Sequence, residues 1–145
     1  MTNIKIGFAL LAAVAAAVVG VVAFGTAQAS ASSAPIVIQY EKRCSAGHCG
    51  GTTGNGGRIT MDVTGFRETG PKVVQLTMTE TITGSVSFDA ELSGHFSPAG
   101  FIVLNGTVTE GSFTGAQVHQ RSNYVGGPAT ASVWTGELQL MPARA

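Results

Sequence analysis

Charged residues are scarce in this chain. Lys and Arg number eight, Asp and Glu also number eight, and together they make up 11% of the 145 residues, with a formal net charge of zero. The charges are scattered singly along the sequence. A surface that binds nucleic acid or an anionic membrane requires a basic patch. The sequence therefore predicts no nucleic-acid partner.

Motifs for catalysis and for cofactor binding are lacking as well. No G-x-S-x-G or H-E-x-x-H motif occurs. The glycine-rich stretch 50–57 lacks the Lys–Ser/Thr pair that completes a phosphate-binding P-loop. We therefore predict no catalytic residue, no cofactor and no metal ligand. An enzyme stays possible in principle, because convergent active sites depend on geometry rather than on spacing.

Helical periodicity is missing after residue 35, where apolar and polar residues alternate with period two instead. This alternation predicts an all-β fold of about seven antiparallel strands, as a meander-type small barrel or a β-sandwich, preceded by an N-terminal signal helix. A barrel is slightly favoured because closure removes exposed strand edges. Residues 44–57 are predicted to be a glycine-rich loop. The predicted strands are 36–41, 58–68, 73–82, 85–92, 101–109, 112–121 and 130–141.

The first 29 residues have the three parts of a secretion signal. Lys5 precedes the uncharged run Ile6–Phe24, and Ala27-Gln28-Ala29 is a small-residue cleavage site before Ser30. The sequence thus predicts a secreted, extracellular protein. The apolar run would measure about 28 Å as a helix, close to the thickness of a bilayer core, so an uncleaved anchor is the alternative.

The predicted organisation follows from this signal. Residues 1–29 are the signal peptide or uncleaved anchor, 30–35 a short flexible tether, and 36–145 a single β domain. Both alternatives place that domain outside the cytoplasmic membrane, because the positive charge holds the N-terminus inside. A membrane is a partner only if the N-terminal segment stays uncleaved.

Two cysteines, Cys44 and Cys49, lie in the exported part. An even number of cysteines in an oxidising compartment predicts a disulfide, here one that closes a small loop. A metal site formed with His48 and a reactive thiol pair are the alternatives. The metal site lacks a visible fourth ligand.

A cluster of long polar and aromatic side chains suggests a recognition patch formed by His119, Arg121, Tyr124 and Trp134. Arg, Tyr and Trp are the residues that most often anchor interfaces. The alternative is a polar strand end with Trp134 in the core. His95 and His119 are predicted to be solvated surface side chains.

These observations predict a secreted small β-domain protein that acts as a non-catalytic binding or surface protein. Its partner would be an unknown extracellular molecule or a small apolar ligand. The alternative function is a small β-barrel enzyme or carrier with an apolar ligand cavity.

Overall fold

A computed structural model describes residues 34–143. Within this range the chain forms eight β-strands and one short 3₁₀ turn, Ala129–Ala131. The strands are β1 (Ile36–Ser45), β2 (His48–Thr53), β3 (Arg58–Glu68), β4 (Val74–Thr83), β5 (Phe88–Ser97), β6 (Phe101–Gly111), β7 (Gln117–Gly126) and β8 (Ser132–Met141).

The strands form a closed antiparallel barrel in which each strand pairs with the next along the chain. β8 closes the barrel by pairing with β1, with Ile36 opposite Leu140 and Cys44 opposite Ser132. Closure removes the two edge strands that an open sheet would have. The all-β prediction is confirmed, and the barrel rather than the sandwich is the architecture.

The prediction of a continuous loop over residues 44–57 is wrong. β1 extends to Ser45, and His48–Thr53 forms β2, which accounts for the eighth strand. Glycine disfavours strands, so the glycine content concealed this one. Here glycine serves a steric purpose, because a Cβ at Gly51 would overlap the backbone of Glu41 in the paired strand.

The period-two alternation directs one face of every strand into the barrel. The alternating positions of β4 and β5 show it most clearly, with Met78 and Ile82 buried on one strand and Phe88, Ala90 and Leu92 on the next. These side chains belong to one continuous hydrophobic core. The core fills the barrel as side chains fill other eight-stranded barrels.

The two ends of the barrel differ. At one end, here called the terminal end, β1 begins and β8 finishes, so both ends of the described chain lie together. At the opposite end, here called the mouth end, the connections are 46–47, 69–73, 98–100 and 127–131.

The two cysteines form the predicted disulfide, which joins paired positions of β1 and β2. Both sulfurs are used in this bond, so the pair is neither a metal site nor a free thiol pair. A disulfide indicates an oxidising environment. The predicted signal peptide, 1–29, lies outside the described residues, as does most of the tether. Within 34–143, no helix has the length and apolar character needed to cross a membrane.

Candidate ligand-binding site

The inward-facing side of β1 carries polar groups as well as apolar ones. Ile38, Tyr40 and Lys42 occupy alternate positions and all three are buried, Lys42 with only 1% of its surface exposed. Residues two apart in a strand share a face, so all three side chains are directed to the same side of the sheet. A lysine is therefore held inside the barrel by the alternation that places its apolar neighbours there.

The same alternation buries a glutamate and a glutamine. Glu80 lies between Met78 and Ile82 on the inward face of β4 and is 1% exposed. On β7, Gln120 and Ser122 lie on the same inward face as Val118. The side-chain amide of Gln120 and the hydroxyl of Ser122 are fully buried. Such residues are rarely buried unless they are paired.

These polar side chains meet around the sulfur of Met61. The Lys42 Nζ atom lies 3.0 Å from the Met61 Sδ atom, and the Gln120 Nε2 atom lies 3.8 Å from the same sulfur. Glu80 is the register partner of Met61 on the neighbouring strand, so the two side chains share the interior. We call Lys42, Met61, Glu80 and Gln120 the interior polar cluster.

The acceptors of this cluster are unsatisfied. Neither carboxylate oxygen of Glu80 accepts a hydrogen bond from any described residue, and the side-chain carbonyl oxygen of Gln120 accepts none either. The great majority of buried polar atoms in proteins have a partner, so each exception calls for an explanation. Three orphaned acceptors in one cluster are the least ordinary feature of this barrel.

Burial shifts the ionisation of the two charged members of the cluster. Removal from water raises the pKa of Glu80 well above its usual range. The nearby positive charge of Lys42 and the side-chain amide of Gln120, which lies near the carboxylate without forming a hydrogen bond to it, oppose this only in part. Removal from water also lowers the pKa of Lys42, against the opposing effect of Glu80. Both pKa values therefore move toward neutrality.

A hydrogen-bonded pair lies beside the cluster. The Tyr40 hydroxyl and the Ser122 hydroxyl are 2.6 Å apart, and burial raises the pKa of Tyr40 above its usual range. Gly136, opposite Tyr40 on β8, makes room for the ring, because a Cβ at this position would overlap the phenol oxygen. The absence of a side chain at Gly136 thus fixes where Tyr40 can lie.

An aromatic pocket opens at the mouth end. Three inward-facing aromatic side chains form its wall, with the Trp134 ring 6.0 Å from the Phe96 ring and 5.4 Å from the Tyr124 ring, both edge-on. The pocket is an open depression with a volume of about 430 Å³. We call it the aromatic mouth; its lining residues are Phe96, Pro98, Gly100, Tyr124, Gly127, Ala129, Ser132 and Trp134.

Hydrogen bonds hold the aromatic mouth in place. The Trp134 indole donates to the Ser132 hydroxyl at 2.9 Å, and that hydroxyl donates to the Cys44 carbonyl oxygen at 3.3 Å. The Tyr124 hydroxyl donates to the Gly127 carbonyl oxygen. The disulfide-linked hairpin and the 127–131 connection therefore both support the pocket wall.

Exposed apolar side chains are also present at the mouth end. Phe66, at the end of β3, is 74% exposed, and Val73, Tyr124 and Val125 are exposed on neighbouring strand ends and connections. Scattered apolar residues on a surface need no explanation, and of these four only Tyr124 lines the aromatic mouth.

The structure divides the predicted recognition patch between two surfaces. Tyr124 and Trp134 lie together in the aromatic mouth, with Trp134 largely buried. His119 and Arg121 instead lie on the outer face of β7, where the guanidinium group stacks 4.7 Å from the Phe101 ring. No shared binding surface for all four residues is present among the described residues.

The outer face around β1, β7 and β8 forms a shallow polar depression of about 410 Å³. Its groups satisfy one another. Both carboxylate oxygens of Glu137 accept side-chain hydrogen bonds, at 2.6 Å from Gln39 and 3.1 Å from Gln139. His119 pairs with Asn105 at 2.6 Å. We call this surface the outer polar face.

The interior polar cluster was missed by sequence reasoning, although a signal for it exists. Lys42 continues the inward series of Ile38 and Tyr40, and Glu80 interrupts the otherwise apolar series between Met78 and Ile82. Strict application of the period would have placed both inside. Hydrophobicity alone would have placed both outside.

No family model, curated protein or solved structure matches this chain. The function must therefore be inferred from the site itself.

Proposed function

We propose that this chain is a secreted binding protein whose aromatic mouth holds a small, largely apolar molecule. The observation that carries the proposal is the pocket walled by Phe96, Tyr124 and Trp134 at the open end of a closed barrel. Pockets for small molecules are concave and lined mainly by apolar and aromatic side chains, with a few polar groups that orient the ligand. Mouths of β-barrels are a usual place for them.

The aromatic walls favour a flat apolar ligand. Aromatic rings attract one another in edge-to-face and offset geometries, with a gain beyond that of burying area alone. Ser132 is the polar group among these walls, but its hydroxyl is already engaged with Trp134 and Cys44. Most of the binding energy at the mouth would therefore come from apolar contact.

Extracellular action is part of the same proposal. The disulfide between Cys44 and Cys49 and the signal-like first 29 residues support export. The mass of the protein recovered from the culture medium tests this part. Loss of the first 29 residues is expected, and a full-length chain confined to the membrane fraction would contradict release.

Acid–base catalysis by the interior polar cluster is the second candidate function. Buried acid and base groups whose pKa values move toward neutrality are typical of active sites. Lys42 and Glu80 are each only 1% exposed, however, so a substrate has no open path to them in this conformation. Binding at the open mouth therefore ranks above catalysis.

A fluorescence titration tests the proposed function. Trp134 is the single tryptophan of the chain, so energy transfer from it to a bound dye reports the location of binding. N-phenyl-1-naphthylamine, a neutral aromatic dye, is expected to bind saturably with one molecule per chain. Tyr124→Ala should weaken binding about tenfold, because one aromatic wall is lost.

Phe113→Ala provides the matched control. Phe113 is also an exposed aromatic residue, but it lies in the connection between β6 and β7 at the terminal end. Its removal should leave dye affinity unchanged. Equal affinity in the Tyr124 and Phe113 variants, or no saturable binding at all, would refute the proposed function.

A further inference from the structure

The orphaned acceptors of the interior polar cluster indicate what kind of group the barrel can receive. Both oxygens of an ionised Glu80 are acceptors and not donors, and so is the side-chain oxygen of Gln120. A buried acceptor without a donor carries a desolvation penalty that any suitably placed donor would remove. The cluster therefore has unused capacity for a donor.

Lys42 does not fill this role. Its ammonium group contacts the sulfur of Met61, a weak acceptor, and lies 5.2 Å from the centre of the Tyr40 ring. Within residues 34–143 the ion-pair contacts do not include one between Lys42 and Glu80. One positive and one negative charge are nevertheless already enclosed together. A second cation would leave an unbalanced buried charge, whereas a neutral donor would not.

The aromatic mouth and the cluster are neighbours in the barrel. Trp134, which walls the mouth, is the register partner of Lys42, so the two side chains point into the barrel side by side. Tyr40 and Ser122 lie on the next register line, with Gly136 between them. A group that enters the barrel from the mouth would therefore meet Trp134 before it meets Lys42.

We propose that the ligand carries a hydroxyl group, which passes Trp134 and donates a hydrogen bond to Glu80 or Gln120 while the apolar body stays in the aromatic mouth. This inference rests on the proposed function and names the ligand class, a neutral apolar molecule with one alcohol or phenol group. Its hydroxyl can also accept a hydrogen bond from the Lys42 ammonium group, whose donors are not all used.

Three naphthalene probes of matched shape test the inference by calorimetric titration: 2-naphthylmethanol, 2-ethylnaphthalene and 2-naphthylmethylamine. They differ only in ending on a hydroxyl, a methyl or an ammonium group. The alcohol is expected to bind about tenfold tighter than the hydrocarbon, the gain from a hydrogen bond to a charged acceptor. The amine should bind more weakly than the alcohol, because it adds a buried positive charge.

Substitution of the acceptors then locates the effect. Glu80→Gln keeps the shape of the side chain and removes its charge, and it should reduce the preference for the alcohol to about threefold or less. Gln120→Leu provides a second variant that leaves both buried charges in place, and it should also reduce the preference. Glu91→Gln is the matched control on the exposed face of β5 and should leave the tenfold preference intact.

The outcomes separate this inference from the proposed function. Equal binding of alcohol and hydrocarbon would overturn the inference and retain the aromatic mouth as a binding site, since water alone would then supply the donor. A tenfold preference that survives both acceptor substitutions would also overturn it. Failure of all three probes to bind would overturn the proposed function and this inference together.

Discussion

Two glutamates in this barrel have opposite surroundings. Glu137, on the outer polar face, lies at the surface and has a hydrogen-bond donor for each of its oxygens. Glu80, in the interior polar cluster, is buried and has none among the described residues. Water could have satisfied the first at little cost, whereas the second has lost its hydration and the nearby charge of Lys42 offsets this loss only in part.

The contrast shows that the unusual carboxylate of this barrel is the buried one, which lacks hydrogen-bond partners. A barrel of this size would lose no stability with apolar residues at both position 42 and position 80, since two buried opposite charges are often replaced together by apolar residues without loss. The outer polar face, by comparison, is an ordinary solvated surface. The unsatisfied interior is therefore the part of the barrel that stability alone does not explain.

The largest expected effect is the loss of one buried charge. Glu80→Leu leaves the Lys42 ammonium group without an opposing charge and should lower the free energy of unfolding by about 3 kcal/mol or more. Adding Lys42→Met to this variant should restore most of the loss. Urea denaturation of the two single variants and the double variant measures the coupling.

The same comparison predicts only a small change in stability for a substitution on the outer polar face. Glu137→Leu removes a carboxylate of the same kind from the outer polar face and should change stability by about 0.5 kcal/mol or less. Similar losses in the Glu80 and Glu137 variants would mean that the interior carboxylate is not special.

A steric change beside the cluster should have the next largest effect. Gly136→Ala places a methyl group where the Tyr40 phenol lies and should destabilise the protein by about 2 kcal/mol through overpacking. Gly50→Ala is the control, since nothing lies within 4 Å of a Cβ at that position of β2. Thermal unfolding compares the two, and equal melting temperatures would contradict the interior placement of Tyr40.

Removal of the disulfide should cost about 2 kcal/mol or less, because the loop between Cys44 and Cys49 is short. The paired substitution Cys44→Ser with Cys49→Ser is the test, with denaturation of the oxidised wild type as the reference. Complete unfolding of this variant would mean that the bond does more than fix the local hairpin.

The last expected effect on the interior polar cluster is a dependence on pH. Because the pKa of Glu80 is raised in the folded state, the folded protein holds this proton more tightly than the unfolded chain does. Its contribution to stability is complete below the ordinary value of 4.5 and is lost as pH rises toward neutrality. Relative to Glu80→Gln, the wild type should lose about 1 kcal/mol or more between pH 4 and pH 7.

Denaturation at several pH values measures this difference. Glu91 lies on the exposed face of β5, so the free energy of unfolding of Glu91→Gln should change with pH in the same way as that of the wild type. A wild-type curve that instead gains stability relative to Glu80→Gln over this range would show a lowered pKa for the buried carboxyl.

Much of this fold was accessible from the sequence. Clean alternation in segments such as 73–82 and 85–92 predicted strands and a barrel, although β5 begins three residues later than expected. β2 was not predicted, because Gly50 and Gly51 have no side chains and therefore interrupt the alternation of apolar and polar residues. Its existence depends on pairing with β1 and β3, which is a tertiary effect.

The candidate site was less predictable for a different physical reason. Tyr124 and Trp134 were selected for their chemistry, and they do meet in the aromatic mouth. Lys42 and Glu80 obey the strand period but contradict hydrophobicity, and period alone cannot reveal that they share one interior with Gln120. That convergence requires the order and closure of the strands.

The pairing of Ile36 with Leu140 has a practical consequence. Because the barrel starts and finishes at the terminal end, a short linker could join residue 34 to residue 143 and new chain ends could be opened elsewhere, for example within 84–87. Such a circular permutant would keep every strand pair. A fluorescent reporter or a solid support attached next to residue 34 or residue 143 would likewise leave the aromatic mouth free, which suits this barrel to use as a surface-immobilised sensor.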